Sequence, residues 1–442
     1  MPTPNPEDRR GPHTSCTPTP TPIRSRARQR RPVRKAALIV AAALTVAACS
    51  STASPGTSAA GNGSGALVPL DHAAMDAVVK MVATELHVPG MVVMIKTPQG
   101  DYVNTYGVTE RNGTTPVTLD TRVRIGSNTK TWTGTAVLQM VQEGKIALSD
   151  PVSKYIPNVP NGNNITIAQL GDMRSGLYNY SETLALNNAL DTEPQKVWTP
   201  GELLALAYPN PPYFPPGQGW HYSNTNTVLL GQIAEQIDRK PLGQIFQDRF
   251  FAPLGMTGTS FPANTDTSIP SPSSKGYMYG TNVETMTDPS IPADQLAQVQ
   301  AGTLAPKDVT TDNPSWTWSA GQGISTANDL ATWVRAMVGG RLLDTQTQKT
   351  RMDGVLPTGK GTSYGFTVAK LGPLYGHTGE LPGYNSFMGY DPVNDVTVVA
   401  WGNLAPAADG RPPAVTLVQA LVPHIYAPSP QETDAAGAKL PN

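Results

Sequence analysis

The sequence predicts an α+β fold: an antiparallel sheet drawn from both ends of the chain, flanked by the first and last helices, with an all-helical lobe inserted between. Three observations predict it. Strand-like apolar runs occur early (91–96, 101–108) and late (365–370, 383–390, 396–401) in the folded part. Segments of helical period bracket them at 70–87 and 414–421. The middle carries helical patches between proline-rich connectors and no comparable strands.

Each element has its own reason. Met75, Val78, Val79, Val82 and Leu86 recur at helical spacing in the first helix. Pro98-Gln99-Gly100 is the turn between the two early strands. The apolar approach Val123-Arg124-Ile125-Gly126 leads into a helix predicted over 128–143. Its buried face carries Val137, Leu138 and Val141, and Gly144 closes it. Residues 151–176 read as loops and short helices. Further helical patches fall at 203–207, 227–237 and 242–251. Residues 262–315 are rich in Pro, Ser, Thr and Asp without a period, and fit either a lid over a cleft or a plain loop. A helix over 327–338 has Asp329 near its start, and Asp391-Pro392 opens the turn between the last two strands. The final helix groups Val415, Val418, Leu421 and Val422. There is no internal repeat.

A chain of 442 residues suits one large domain with two lobes, or two domains. Two cysteines make no disulfide framework. The formal net charge of −1 hides an asymmetry. Nine Lys/Arg lie between Arg9 and Lys35, against Glu7 and Asp8 alone. Taking those nine from 32 basic residues leaves 23, and two from 33 acidic leaves 31, so the remainder carries about −8. No nucleic-acid patch follows residue 48, and no nucleic-acid partner is expected. The basic stretch runs into the alanine-rich apolar segment 36–48, the pattern of a secretory signal and too short for a comfortable membrane span. Val46-Ala47-Ala48-Cys49 resembles the bacterial lipobox, which implies cleavage before Cys49 and lipid on its sulfur. The alternative is an ordinary export signal with an incidental cysteine. The expected organisation is therefore a signal peptide at 1–48, a flexible Ser/Thr/Ala/Gly tether at 49–66, a folded domain at 67–427 with its helical insertion at about 150–312, and a tail at 428–442. The expected place is the extracytoplasmic face of the cell membrane, lipid-anchored or secreted.

The chemistry centres on Ser127-Asn128-Thr129-Lys130. Residues three apart on a helix share a face, so the Ser127 hydroxyl can meet the Lys130 amine. A serine hydroxyl needs a base, and a lysine in a dry site can have its pKa lowered enough to serve. The first N–H groups of the helix, the amide of Ser127 among them, can stabilise a developing oxyanion. Alone, S-x-x-K also fits a helix start with a solvated lysine. Two later stretches change that. Tyr222-Ser223-Asn224 follows Pro215-Pro216-Gly217 and precedes a helix, and His377-Thr378-Gly379 lies among the late strands.

In this order the three motifs resemble the penicillin-recognising serine hydrolases. The similar branch holds class C β-lactamases, D-alanyl-D-alanine carboxypeptidases, D-aminopeptidases and related esterases. Recurrent pieces of the same family resemble 165–170, Ser175-Gly176-Leu177, Leu254-Gly255-Met256, Lys275-Gly276-Tyr277 and 323–330. The resemblance covers roughly 70–425. Gly171-Asp172-Met173-Arg174 departs from the usual L-x-H-T and reads as structural drift. The resemblance implies a β-lactamase/DD-peptidase-like fold with the active site between its lobes. It implies a Ser127 acyl-enzyme, with Lys130 and Tyr222 sharing the proton traffic. It implies that Asn224 bonds Lys130 and the substrate amide, and that the N–H groups of Ser127 and Glu380 form the oxyanion hole. Gly379 lets the substrate backbone lie close to its strand. No cofactor is implied.

His377 departs from K-T-G. At its reference pKa of about 6.5 it is mostly neutral at pH 7, so the resemblance leans from β-lactamases toward peptidases or esterases. Any use of carboxylate-bearing substrates should then improve as pH falls through that value. Gly361-Thr362-Ser363-Tyr364-Gly365 fits the α/β-hydrolase elbow, but polar residues precede it and a strand follows, where the elbow needs the reverse. A zinc site is not expected either: His72, His87, His221, His377 and His424 form no close-spaced set. The favoured activity is D-alanyl-D-alanine carboxypeptidase-like hydrolysis of peptidoglycan-type peptides or related amides. An esterase or weak β-lactamase would use the same residues. A cell-wall binding lipoprotein without turnover is the reading of another class.

Overall fold

The computed structural model describes residues 65–358 and 362–427. The basic stretch, the apolar run, Cys49 and the tail all fall outside the described residues.

Helix α1 (His72–Glu85) opens the fold, capped by Asp71, whose carboxylate accepts from Ala74 N. Strands β1 (Gly90–Thr97) and β2 (Gly100–Gly107) form the early hairpin. The short β3 (Val123–Arg124) leads into α2 (Thr129–Gln142). The insertion contributes α3 (Ile167–Gly171), α4 (Leu184–Thr192), α5 (Pro200–Ala207), α6 (Asn224–Asp238), α7 (Leu242–Phe246) and α8 (Ala252–Leu254). Capping boxes Thr166/Gln169 and Thr199/Glu202 start α3 and α5. Then come β4 (Tyr277–Met278), α9 (Ala293–Gln300), β5 (Lys307–Asp308), β6 (Ile324–Ser325), α10 (Ala327–Val338) and α11 (Thr345–Asp353). The chain ends on β7 (Leu356–Pro357), β8 (Ser363–Gly365), β9 (Val368–Leu371), β10 (Leu374–Leu381), β11 (Tyr384–Asp391), β12 (Val396–Gly402) and α12 (Pro413–Leu421).

The main sheet has eight strands in the order β2-β1-β12-β11-β10-β9-β8-β7, every neighbour antiparallel. β1 pairs with β12, so one sheet is built from both ends of the chain, as the sequence predicts. Alternation along the strands divides the core. Val398 and Ala400 of β12 pack with α1 and α12 on one face, while Val399 and Trp401 pack with α2, α6 and α10 on the other.

Three elements differ from expectation. α2 is buried on almost every side, Thr131, Thr133 and Thr135 included, because it runs between the sheet and the helical lobe. Its hydroxyls are satisfied internally: Thr131 donates to Asn128 O, Thr135 to Thr131 O and Thr133 to Ser319 O. The insertion is not wholly helical, since β4 and β5 pair within it. The aperiodic 262–315 stretch is tied down by Lys275 N to Thr109 O, Tyr277 N to Asn403 O and Ile291 N to Ala408 O. Ser363 of the elbow-like motif sits in β8, opposite Lys370, with no helix after it.

Candidate active site

Ser127 stands in a single 3-10 turn, Gly126–Asn128, that runs directly into α2. Gly126 has φ +52°, and a Cβ there would lie 2.5 Å from Glu380 N. The turn is thus pressed against β10. A Cβ on Gly379 would lie 2.5 Å from Ser386 Oγ and closer still to Ile125 O. The seam is stitched by polar groups: Asn128 Nδ2 donates to Ser386 Oγ (2.8 Å) and Ile125 O (3.2 Å), and Ser386 Oγ donates to Ile125 O (2.9 Å). This holds the turn that carries Ser127 against the Glu380 backbone, as an oxyanion hole built from those two amides would require. Asn128 and Ser386 carried no signal in the sequence, where a polar residue inside S-x-x-K reads as solvated.

Lys130 points back along α2 and places Nζ 2.8 Å from Ser127 Oγ. Its other contacts are Ala320 O at 2.8 Å and the Tyr222 ring, whose centroid lies 4.9 Å away. It is fully buried and forms no ion pair among the described residues. Desolvation therefore holds its pKa well below the ordinary lysine range. Tyr222 arrives on the extended segment before α6, where His221 N donates to Met173 O and Ser223 N contacts Met173 Sδ. The departing stretch 171–174 thus shapes the site. The buried Tyr222 hydroxyl makes no formed hydrogen bond. Burial pushes its pKa up, and the neighbouring Ser127 side chain opposes that push.

Two expectations are corrected. Asn224 does not bond Lys130. Its side-chain amide donates to Ser181 Oγ (3.0 Å) and its backbone N–H to Asn179 Oδ1 (3.0 Å). The 179–181 loop takes up the first residue of α6, and Ala320 O takes the lysine. His377 is no surface titrant. Nδ1 lies 2.6 Å from Thr378 O and Nε2 lies 3.0 Å from Tyr364 OH. A carbonyl can only accept, so Nδ1 carries the proton and Nε2 accepts from Tyr364. Burial and the nearby Lys130 hold the ring pKa down to about 3. The expected gain for carboxylate substrates as pH falls past about 6.5 therefore has no group to drive it.

Thr378 and Glu380 occupy the opposite, exposed face of β10 from His377 and Gly379. β9 pairs with β10 only at 374–376, so along 377–381 the edge away from β11 has no strand partner among the described residues. Ser127, Tyr222 and Asn224 are each partly exposed. The structure thus gathers Ser127, Lys130, Tyr222, His377 and the Gly379–Glu380 strand around one serine. Sequence reasoning missed Tyr364, Ala320, Ser181, Asn128 and Ser386.

The molecule is similar in structure to a D-stereospecific amidohydrolase from Streptomyces sp., with TM-score 0.66 and 31% identity, over 79% of this chain and 98% of that one. The D-amino acid amidase from Ochrobactrum anthropi SV3 is similar in fold, with TM-score 0.65 and 24% identity, over 78% of this chain and 98% of that one. Two curated relatives are matched over less of their length. PbpX of Bacillus subtilis (strain 168) is 27% identical over 280 residues, 63% of this chain and 61% of PbpX. Protein flp of Staphylococcus aureus (strain MRSA252) is 29% identical over 204 residues, 44% of this chain and 39% of flp. The Beta-lactamase family model matches residues 75–421, from α1 to the end of α12 and across every catalytic motif, so the chain belongs to the beta-lactamase family of serine hydrolases.

Proposed function

We propose that the protein hydrolyses an amide bond through an acyl-enzyme on Ser127, with amides or peptides of D-amino acids as the substrate class. One observation carries the reading: a fully buried Lys130, without an anionic partner among the described residues, whose Nζ lies 2.8 Å from Ser127 Oγ. Once Lys130 is neutral, the contact runs from the serine hydroxyl to the amine. Lys130 takes that proton while Oγ bonds the carbonyl carbon. The carbonyl oxygen gains the negative charge and meets the Ser127 and Glu380 N–H groups. The C–N bond then breaks, and the leaving amine receives a proton through Lys130 and Tyr222. Water attacks the ester, gives a proton back along the same path and releases the acid and free Ser127.

The substrate class is supported by the likeness to the Streptomyces amidohydrolase and by the neutral His377, which presents no positive charge to a terminal carboxylate. A D-alanyl-D-alanine carboxypeptidase reading is favoured by the order of the three motifs and needs a cation from elsewhere. Export with a lipid on Cys49 remains part of the proposal, supported by the basic-apolar-lipobox order; labelling of wild type but not Cys49→Ala by radioactive palmitate tests it.

The central experiment uses a soluble form beginning after Cys49, incubated with D-alanine p-nitroanilide and, separately, with penicillin. The expected result is anilide cleavage in wild type and none in Ser127→Ala, with any penicillin adduct confined to wild type. Equal, slow cleavage by both proteins would overturn the reading.

A further inference from the structure

The carboxylate of Glu380 has a setting that its backbone role does not explain. Its amide lies against Gly126, one residue from the nucleophile. Its side chain is exposed, on the face of β10 that also presents Thr378. Desolvation pushes the carboxyl pKa above the ordinary value, and the hydrogen bond from Asn385 opposes that push. Among the described residues no lysine, arginine or histidine forms an ion pair with it.

The carboxylate is nevertheless aimed. Asn385 Nδ2 donates to Glu380 Oε2 (3.0 Å) and to Gly379 O (3.2 Å). Asn385 is itself buried, at 1% exposure, and cannot turn. Its Oδ1 accepts from Ala414 N (2.9 Å) and Val415 N (3.3 Å), the first amides of α12. A buried amide fixed at both ends thus orients an exposed anion without neutralising it. An exposed surface carboxylate needs no such support, because water solvates it.

We infer that Glu380 is a specificity-determining residue that receives the free α-ammonium group of the substrate, so that the enzyme acts at the amino end of a chain. The inference rests on the amide-hydrolase reading above. An α-ammonium sits on the carbon next to the scissile carbonyl. With the carbonyl oxygen at the Glu380 N–H, that carbon and its substituents lie beside the same residue. A cationic substituent there gains a charge-assisted hydrogen bond, and an N-acylated one loses it. The net charge of about −8 after residue 48 further favours a cationic substrate over an anionic one.

The test compares D-alanine and N-acetyl-D-alanine p-nitroanilides, and the p-nitrophenyl esters of the same pair, on wild type, Glu380→Gln and Glu380→Asp. The readout is the kcat/KM ratio of free amine to N-acetyl within each protein, which cancels any general loss of activity. Wild type should prefer the free amine, Glu380→Gln should lower that ratio about ten- to a hundredfold, and Glu380→Asp should retain part of it. A ratio in Glu380→Gln within about twofold of wild type, or no preference in wild type, would overturn the inference. If the esters acylate Ser127 and the anilides are not cleaved, the amide reading fails while the ester ratio still decides the role of Glu380. Acylation by neither ester overturns both.

Discussion

Gly379→Ala should separate the oxyanion donors without touching the nucleophile. The added carbon would lie 2.5 Å from Ser386 Oγ and closer to Ile125 O. Unbonded heavy atoms settle about 3.5–4 Å apart, so the overlap with Ser386 is at least about 1 Å. Ser386 is held by Asn128 and cannot swing clear, and Ile125 O is backbone. β10 must therefore withdraw from the Ser127 turn, and the Glu380 N–H moves with it. Losing one oxyanion donor costs about 10²–10³ in kcat, or ~2.7–4 kcal/mol. The assay is steady-state hydrolysis of a D-alanine p-nitrophenyl ester at saturation, with far-UV circular dichroism and a thermal melt to confirm folding. A folded variant with kcat within about threefold of wild type would refute the packing argument and the placement of the oxyanion hole.

Four further outcomes follow from the electrostatics. Lys130→Arg keeps a charge that cannot leave at working pH, so acylation should fall by about 10²–10⁴, read as the rate of p-nitrophenol release. If Lys130 is the base as proposed, the acid limb of kcat/KM in wild type should lie well below the ordinary lysine range, with activity lost as pH falls through its lowered pKa. His377→Gln should flatten the acid side of the stability curve. The unfolded histidine binds a proton below about 6.5 and the folded one only near 3, so wild type loses up to about 5 kcal/mol across that window, at about 1.4 kcal/mol per pKa unit. Urea unfolding at pH 4 and 7 reads the slope, and an equal slope in the variant would contradict it. Asp172 is pushed up to about 7 by burial, so its ionisation destabilises the fold as pH rises through that value. Asp172→Asn should accordingly raise Tm more at pH 8 than at pH 5, and an equal rise at both would contradict the shift.

The three ordered motifs come together in space, because each sits on or beside a short regular element. The i,i+3 spacing of Ser127 and Lys130 becomes a 2.8 Å contact since one helical turn brings those positions together. The hairpin of β1 and β2 and the late strands were legible as short strand-like runs set off by turn residues, and β1, β11 and β12 prove buried on both faces.

What sequence spacing could not carry was the state of each group. Whether His377 is a cation is decided by Tyr364, Thr378 O and burial, all brought to it by sheet pairing. Whether Asn224 meets Lys130 is decided by the 179–181 loop and by Ala320 O, 190 residues from Lys130 in sequence. The chain alone thus determined the fold class, the order of the motifs and the local geometry of the nucleophile. The tertiary structure alone decided protonation, hydrogen-bond partners and the seam between β10 and the Ser127 turn, because desolvation and close packing depend on residues distant along the chain.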